Sequence, residues 1–272
     1  MSNTIYRNHN NGSSQIAVVA REHITSQHLD EIVATDLVSR PTKEVKPTPQ
    51  DENLTSFAST SNITLSGFFL PCDDSDKVIL YLKGGDRNVS VWVKAAANIQ
   101  EQVRANILIA DYRGFGRSTG TPSVKGYVDD VFAMYDYLVS KLGFEPENIS
   151  VYGRSLGGAL GTELAAKEKV RSLVLQSSFS SLRGLAKDYY NCSATKLIPD
   201  YLNSAARIQE VSAPVLVSHG SHDEILPTKH ALELYSSAPN PYGLIILDGA
   251  GHDHLKSYFT PEYFEALREL FL

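Results

Sequence analysis

The run Gly153-Arg154-Ser155-Leu156-Gly157 constrains this chain more than any other stretch. An apolar segment, Ile149-Ser150-Val151-Tyr152, leads into it, and the small residues Gly158-Ala159-Leu160-Gly161-Thr162 follow. That order reads as a strand, a sharp turn and a helix, with a serine on the turn. A serine held this way has a strained backbone, and the strand and helix close on each other where small neighbours leave room. The helix N-terminus behind it favours developing negative charge. The five-residue pattern alone occurs by chance in ordinary loops, so its setting carries the weight. Ser155 is the candidate nucleophile.

A serine nucleophile needs a base to take its proton and a carboxylate to orient that base. Downstream, Pro214 to Ser218 reads as a buried strand and is followed by His219-Gly220-Ser221-His222-Asp223-Glu224. Asp223 is the candidate orienting acid. Glu224 is its adjacent rival, and Asp223 could instead only cap the turn. A second apolar run, Leu244 to Leu247, leads into Asp248-Gly249-Ala250-Gly251-His252, a flexible loop able to bring an imidazole over the serine. His252 is the candidate base. His219, His222 and His254 lie nearby, but a lone histidine is more often a surface or packing residue.

On these residues the chain resembles a serine hydrolase of the α/β-hydrolase superfamily, and within it the compact group that contains the acyl-protein depalmitoylases. Val78-Ile79-Leu80-Tyr81-Leu82-Lys83-Gly84-Gly85 and Asp111-Tyr112-Arg113-Gly114-Phe115-Gly116-Arg117-Ser118 add to the likeness, which runs from Leu54 to the end of the chain. The resemblance implies Ser155 as nucleophile, Asp223 as orienting acid and His252 as general base. It also implies an oxyanion hole from the backbone N–H groups of Gly85 and Leu156. One departure stands out: Lys83 occupies the place where the group usually has histidine. Backbone donors survive that change, but a buried lysine needs a partner, and Asp86 or Asp111 is within sequence reach. A distorted loop would cost about 10²–10³ in rate for one lost donor. Asp111 and Arg113 are expected to pair and brace the turn beside this loop.

Other classes are excluded by composition. Against 31 Asp plus Glu there are 25 Lys plus Arg, a net charge of −6, with no long basic run, so nucleic acid is not an expected partner. Two cysteines, Cys72 and Cys192, make a disulfide framework improbable and point to a reducing, cytoplasmic compartment, with secretion lacking a signal peptide left open. No apolar stretch reaches the roughly 18 residues of a membrane span, which leaves only peripheral membrane contact. No lipidation or metal-ligand spacing is visible, and no cofactor or metal is expected.

The expected fold is α/β: a mostly parallel, doubly wound sheet of the α/β-hydrolase type with an N-terminal antiparallel strand pair and a short lid. Residues 1–53, with prolines at 41, 47 and 49, read as a loosely ordered or docking extension, and residues 54–272 as the hydrolase domain. Strands are expected at Leu54–Ser59, Ile63–Leu70, Val78–Leu82, Asn106–Asp111, Ile149–Gly153, Ser172–Gln176, Pro214–Ser218 and Leu244–Leu247, most as continuous apolar runs suited to burial on both faces. Helical stripes fall on Trp92, Ala95, Ala96, Ile99 and Val103, and on Val124, Val128, Val131, Tyr135, Leu138 and Leu142, the second stopped by Gly143. Thr260-Pro261 starts a last helix. The lid region, 179–211, carries Leu182, Leu185, Tyr189, Tyr190, Leu197, Ile198, Tyr201 and Leu202, either as an acyl-binding face or as packing onto the body. The expected activity is cleavage of a carboxylic ester or thioester, on a lipid or an acylated protein. Lysophospholipase or serine peptidase chemistry on the same fold is the alternative, and a non-catalytic scaffold, suggested by Lys83 and the N-terminal extension, is the reading from another class.

Overall fold

Continuous Val, Ile and Leu runs can be buried on two faces at once only if a sheet is covered on both sides, and that is the architecture found. The computed structural model describes residues 30–31, 33–60, 62–188, 201–253 and 259–272, with the short strand pair Tyr6–Arg7 and Ile16–Ala17. Eight strands form the sheet: β1 (Leu54–Ala58), β2 (Thr64–Leu70), β3 (Val78–Leu82), β4 (Asn106–Ala110), β5 (Ile149–Arg154), β6 (Ser172–Gln176), β7 (Val215–Gly220) and β8 (Pro241–Leu247). Their spatial order is β8-β7-β6-β5-β3-β4-β2-β1. β2 runs antiparallel to both its neighbours, and all pairs from β4 to β8 are parallel. The α/β-hydrolase fold expected from the sequence is thus the fold observed.

Alternation within single strands divides the core. Val78, Leu80 and Leu82 enter one apolar cluster and Ile79 and Tyr81 the other, just as Leu108 and Ala110 part from Ile107 and Ile109. One face is covered by α1 (Val89–Val103) and α7 (Pro261–Phe271), through Val89, Val93, Ala96, Ile99 and Val103 and through Tyr263, Leu267, Leu270 and Phe271. Trp92 and Ala95, expected on the stripe of α1, are only half-buried, because the buried face is turned by one residue toward Val93. The other face is covered by α2 (Val124–Asp136), α3 (Leu156–Ala165), the start of the lid in α4 (Leu182–Asp188), the short α5 (Ser204–Arg207) and α6 (Lys229–Ser237). Helix α2 continues as a wider turn over Tyr137–Lys141, and the chain leaves at Gly143 with φ 76°, a left-handed conformation that glycine adopts freely. Thr260 caps α7 by accepting from the Tyr263 N–H at 3.3 Å, with Pro261 in the first turn.

Residues 33–53, part of the segment read as an extension, pack on the body. Val33, Ala34 and Val38 join the main core cluster. The Asp30 carboxylate accepts from Val124 N–H and Lys125 N–H at the start of α2. Of the region expected to form a lid, Leu182 and Leu202 are buried against the body; Tyr189, Tyr190, Leu197 and Ile198 lie outside the described residues.

Leu80 is fully buried at the centre of the sheet. Leu80→Ala is expected to lower the unfolding free energy by about 2–5 kcal/mol, read from urea denaturation.

Candidate active site

The strand-to-helix turn between β5 and α3 sets the site. Ser155 has φ 53° and ψ −118°, a region that costs a non-glycine residue about 1–3 kcal/mol and persists only when neighbours enforce it. Three bonds do so: Ser155 N–H donates to the Gln176 carbonyl of β6 at 2.9 Å, and the Ser155 carbonyl accepts from Gly158 N–H and Ser178 Oγ at 3.0 Å each. Close approach explains the glycines. A Cβ on Gly157 would lie 2.0 Å from the Leu82 carbonyl oxygen, and one on Gly153 2.4 Å from that of Gly157. The side chain of Ser155 makes no cap for α3, and no hydrogen bond among the described residues uses the N–H of Leu156 or of Gly85. Ser155, Gly85 and His252 line one cavity of about 410 Å³, with Val38, Phe179, Leu185, Ile225 and Leu226 as its apolar wall.

The strand end after β7 and the loop after β8 bring Asp223 and His252 together. His252 Nδ1 lies 2.7 Å from Asp223 Oδ2, and the Asp223 side chain is fully buried. Burial pushes its carboxyl up, but the hydrogen bond and charge of His252 and the Leu226 N–H outweigh it and hold Asp223 below the usual carboxylate range. Its second oxygen accepts from Ile225 N–H at 3.0 Å and Leu226 N–H at 2.8 Å. With Nδ1 donating to a carboxylate, the neutral ring presents its lone pair on Nε2.

The rivals fall elsewhere. Glu224 faces the backbone N–H of His252 at 3.4 Å, not its ring. His219 lies 3.4 Å from Asp223, but its Nε2 is committed to the Leu226 carbonyl at 2.8 Å, and burial lowers its pKa. His222 is exposed and contacts Ser221 Oγ, and His254 lies outside the described residues. A second serine–histidine–aspartate grouping was not foreseen: Ser180 Oγ is 2.8 Å from His230 Nδ1, with Asp188 Oδ2 3.2 Å from Nε2. Ser180 and His230 are buried, none of the three lines the cavity, and the Ser180 N–H also points at Nδ1. The grouping fastens the lid helix α4 to α6. No group of three His, Cys, Asp or Glu that could hold a metal occurs among the described residues.

Lys83 is wholly buried beneath the loop that carries Gly85. Its Nζ donates to the Arg87 carbonyl at 3.1 Å, lies 3.5 Å from the Gly84 carbonyl and 3.6 Å from Asp111 Oδ1, and sits 3.5 Å from the centre of the Phe115 ring. Burial lowers the lysine pKa and raises that of Asp111, while each charge opposes the shift of the other. The partner is Asp111, one of the two in sequence reach. The expected Asp111–Arg113 pair is not made, because the two side chains leave the strand end in different directions: Arg113 pairs with Asp130 of α2 at 2.7 Å. On its outer side the same loop is crossed by residues 38–42. Arg40 N–H donates to the Gly85 carbonyl at 2.6 Å, and Val38 passes so close that a Cβ on Gly85 would lie 2.0 Å from its oxygen. Val38, Ser39, Arg40 and Thr42 form part of the cavity wall. This strap carries no sequence signal, since its contacts are mostly backbone.

Residues 77–189 match the family model described as alpha/beta hydrolase fold. Alpha/beta hydrolase domain-containing protein 17C of Mus musculus is 30% identical over 206 residues, covering 75% of this chain and 63% of that protein. The Homo sapiens protein 17C is also 30% identical, with 61% of its length covered, so the chain spans less than two thirds of these curated relatives. Among solved structures, an alpha-beta hydrolase from Vibrio vulnificus superposes with a TM-score of 0.73 at 18% identity, over 98% of this chain and 99% of that one. An esterase from Pyrococcus furiosus gives 0.69 at 19% identity, over 85% and 97%.

Removing one partner of a buried ion pair strands the other charge, at a cost of about 3–5 kcal/mol. Lys83→Met is expected to destabilise the protein by that amount in denaturant titration, and adding Asp111→Asn, which removes the stranded charge but keeps an acceptor for the buried Val89 N–H at 2.8 Å, to recover part of it.

Proposed function

Since the chain has the α/β-hydrolase fold, we propose that it is a serine hydrolase that cleaves a carboxylic ester or thioester through an acyl-enzyme on Ser155. The observation that carries this reading is the 2.7 Å contact between His252 and buried Asp223, opening on the same cavity as a serine held at positive φ. In the reaction, Ser155 Oγ attacks the acyl carbonyl as His252 Nε2 takes its proton. Asp223 fixes the ring and stabilises the imidazolium that forms. The carbonyl oxygen, now negative, takes the N–H groups of Gly85 and Leu156, both without another partner among the described residues and the latter at the start of α3. His252 then protonates the leaving alcohol or thiol. Water, deprotonated by the same imidazole, attacks the acyl-enzyme and releases the acid.

The cavity supports this substrate class. Its volume of about 410 Å³ falls within the range of about 300–1,000 Å³ common to small-molecule sites. Val38, Phe179, Leu185, Ile225 and Leu226 offer an apolar surface for an acyl chain. No helix among the described residues is long and apolar enough to cross a membrane.

The test is labelling with a fluorophosphonate probe together with turnover of p-nitrophenyl esters and acyl thioesters. Wild type is expected to label and turn over, and Ser155→Ala to keep its fold and lose both; undiminished turnover in Ser155→Ala overturns the reading. Asp223→Asn is expected to lower kcat by about 10⁴ through the wrong imidazole tautomer, as in the serine-protease template.

A further inference from the structure

Arg154, the residue before Ser155, is 4% exposed, although nothing in the proposed chemistry uses it. A guanidinium is buried only where its N–H groups and its charge are met. Here Nη2 donates to the backbone carbonyl of His252 at 2.6 Å and lies 3.3 Å from Asp253 Oδ1. The guanidinium carbon sits 4.5 Å over the Trp92 ring, and the Trp92 indole N–H donates to the Asp86 carbonyl at 3.0 Å. Nη1 lies 3.1 Å from where a Cβ on Gly84 would be. One cation, carried by the residue before Ser155, is therefore bonded to the loop carrying His252 and lies alongside Gly84, next to Gly85.

The histidine loop is fastened upstream of His252, where the Ala250 carbonyl accepts from the His222 N–H at 3.0 Å and the Gly249 N–H donates to Ser221 Oγ at 2.8 Å. At His252 itself the hold is slighter: the loop carries Gly249, at φ 76°, and Gly251, and the ring meets Asp223 through a single hydrogen bond. On its backbone, the N–H of His252 faces Glu224 at a long 3.4 Å, whereas the carbonyl receives Arg154 at 2.6 Å. We infer that Arg154 is a positioning residue, whose guanidinium locks the backbone of His252 against the serine turn and so keeps the imidazole facing Ser155. The inference rests on the reading of Ser155 and His252 as nucleophile and base. A lysine would not serve equally, since it lacks the planar fork and the stacking face that Arg154 uses together.

A residue acting only through His252 has no effect once His252 is gone, whereas a general packing role costs the same in either background. The experiment is a double-mutant cycle on the full chain with Arg154→Met and His252→Ala, read as kcat and KM on p-nitrophenyl acetate, with Arg154→Lys as a second variant should Arg154→Met fail to fold. Arg154→Met is expected to lower kcat about 10²-fold, the scale of a misplacement near 1 Å, with KM little changed, and Arg154→Lys to recover only part of the loss. In the His252→Ala background the same change is expected to alter kcat by no more than about twofold. A slow His252→Ala protein on which Arg154→Met or Arg154→Lys costs the same factor as in wild type overturns the positioning role and leaves the proposed function standing. A His252→Ala protein that turns over at the wild-type rate overturns the base assignment, and this inference with it.

Discussion

A helix can approach a strand only as closely as the side chains between them allow, and at the start of α3 none intervenes. The distance of 2.0 Å from a Cβ on Gly157 to the Leu82 carbonyl shows that the helix lies against the edge of β3 as closely as a backbone can. That approach goes with the strained conformation of the turn at Ser155 and brings the loop after β3 beside the serine. The strain is paid for by ordinary hydrogen bonds to Gln176 and Ser178. The other site elements then need only reach this fixed point. Strands β7 and β8 do so because a parallel sheet delivers the C-terminal ends of its strands to one edge.

Charge is used around this point with unusual freedom. Lys83, Asp111, Arg154 and Asp130 are all buried, each in contact with an opposite charge. Such pairs are weak sources of stability, because taking two charges from water costs about as much as their attraction returns. Their geometric effect is plainer. A lysine bonded to the carbonyl of Arg87, with that of Gly84 at the limit of reach, ties the loop after β3, and an arginine bonded to that of His252 ties the loop after β8. In each case a fixed donor satisfies a backbone carbonyl that a flexible glycine-rich loop would otherwise leave to water.

Much of this was legible in the chain itself. Strands β3 and β6 match their expected ends residue for residue, because runs such as Val78 to Leu82 are bounded by polar residues on both sides. Edge strand β8 begins earlier than expected, at Pro241, where exposure removes the apolar signal. On α1, Ala96, Ile99 and Val103 of the expected stripe are buried while Trp92 and Ala95 fall at its boundary, since alanines there fit either face. Asp223 and His252 were legible as candidates from chain order, loop chemistry and the family likeness, but Glu224 was separated from Asp223 only by the contact itself. The strap over Gly85 was not, because backbone hydrogen bonds have no sequence signature, and the segment's prolines read as a linker. Nor was the Lys83–Asp111 pair separable from its alternatives, since sequence proximity says nothing of which way a side chain turns.

The sequence by itself determined the parallel sheet, the serine turn and the order of acid and histidine, all of which rest on local rules: apolar runs, glycine spacing and turn residues act over a few positions. The tertiary structure decided which carboxylate meets which histidine, which cation lies beside the loop carrying Gly85 and what walls the cavity. Those contacts join residues such as Arg154 and His252, 98 positions apart. Their selection depends on how closely whole layers pack, a quantity no short stretch of chain encodes.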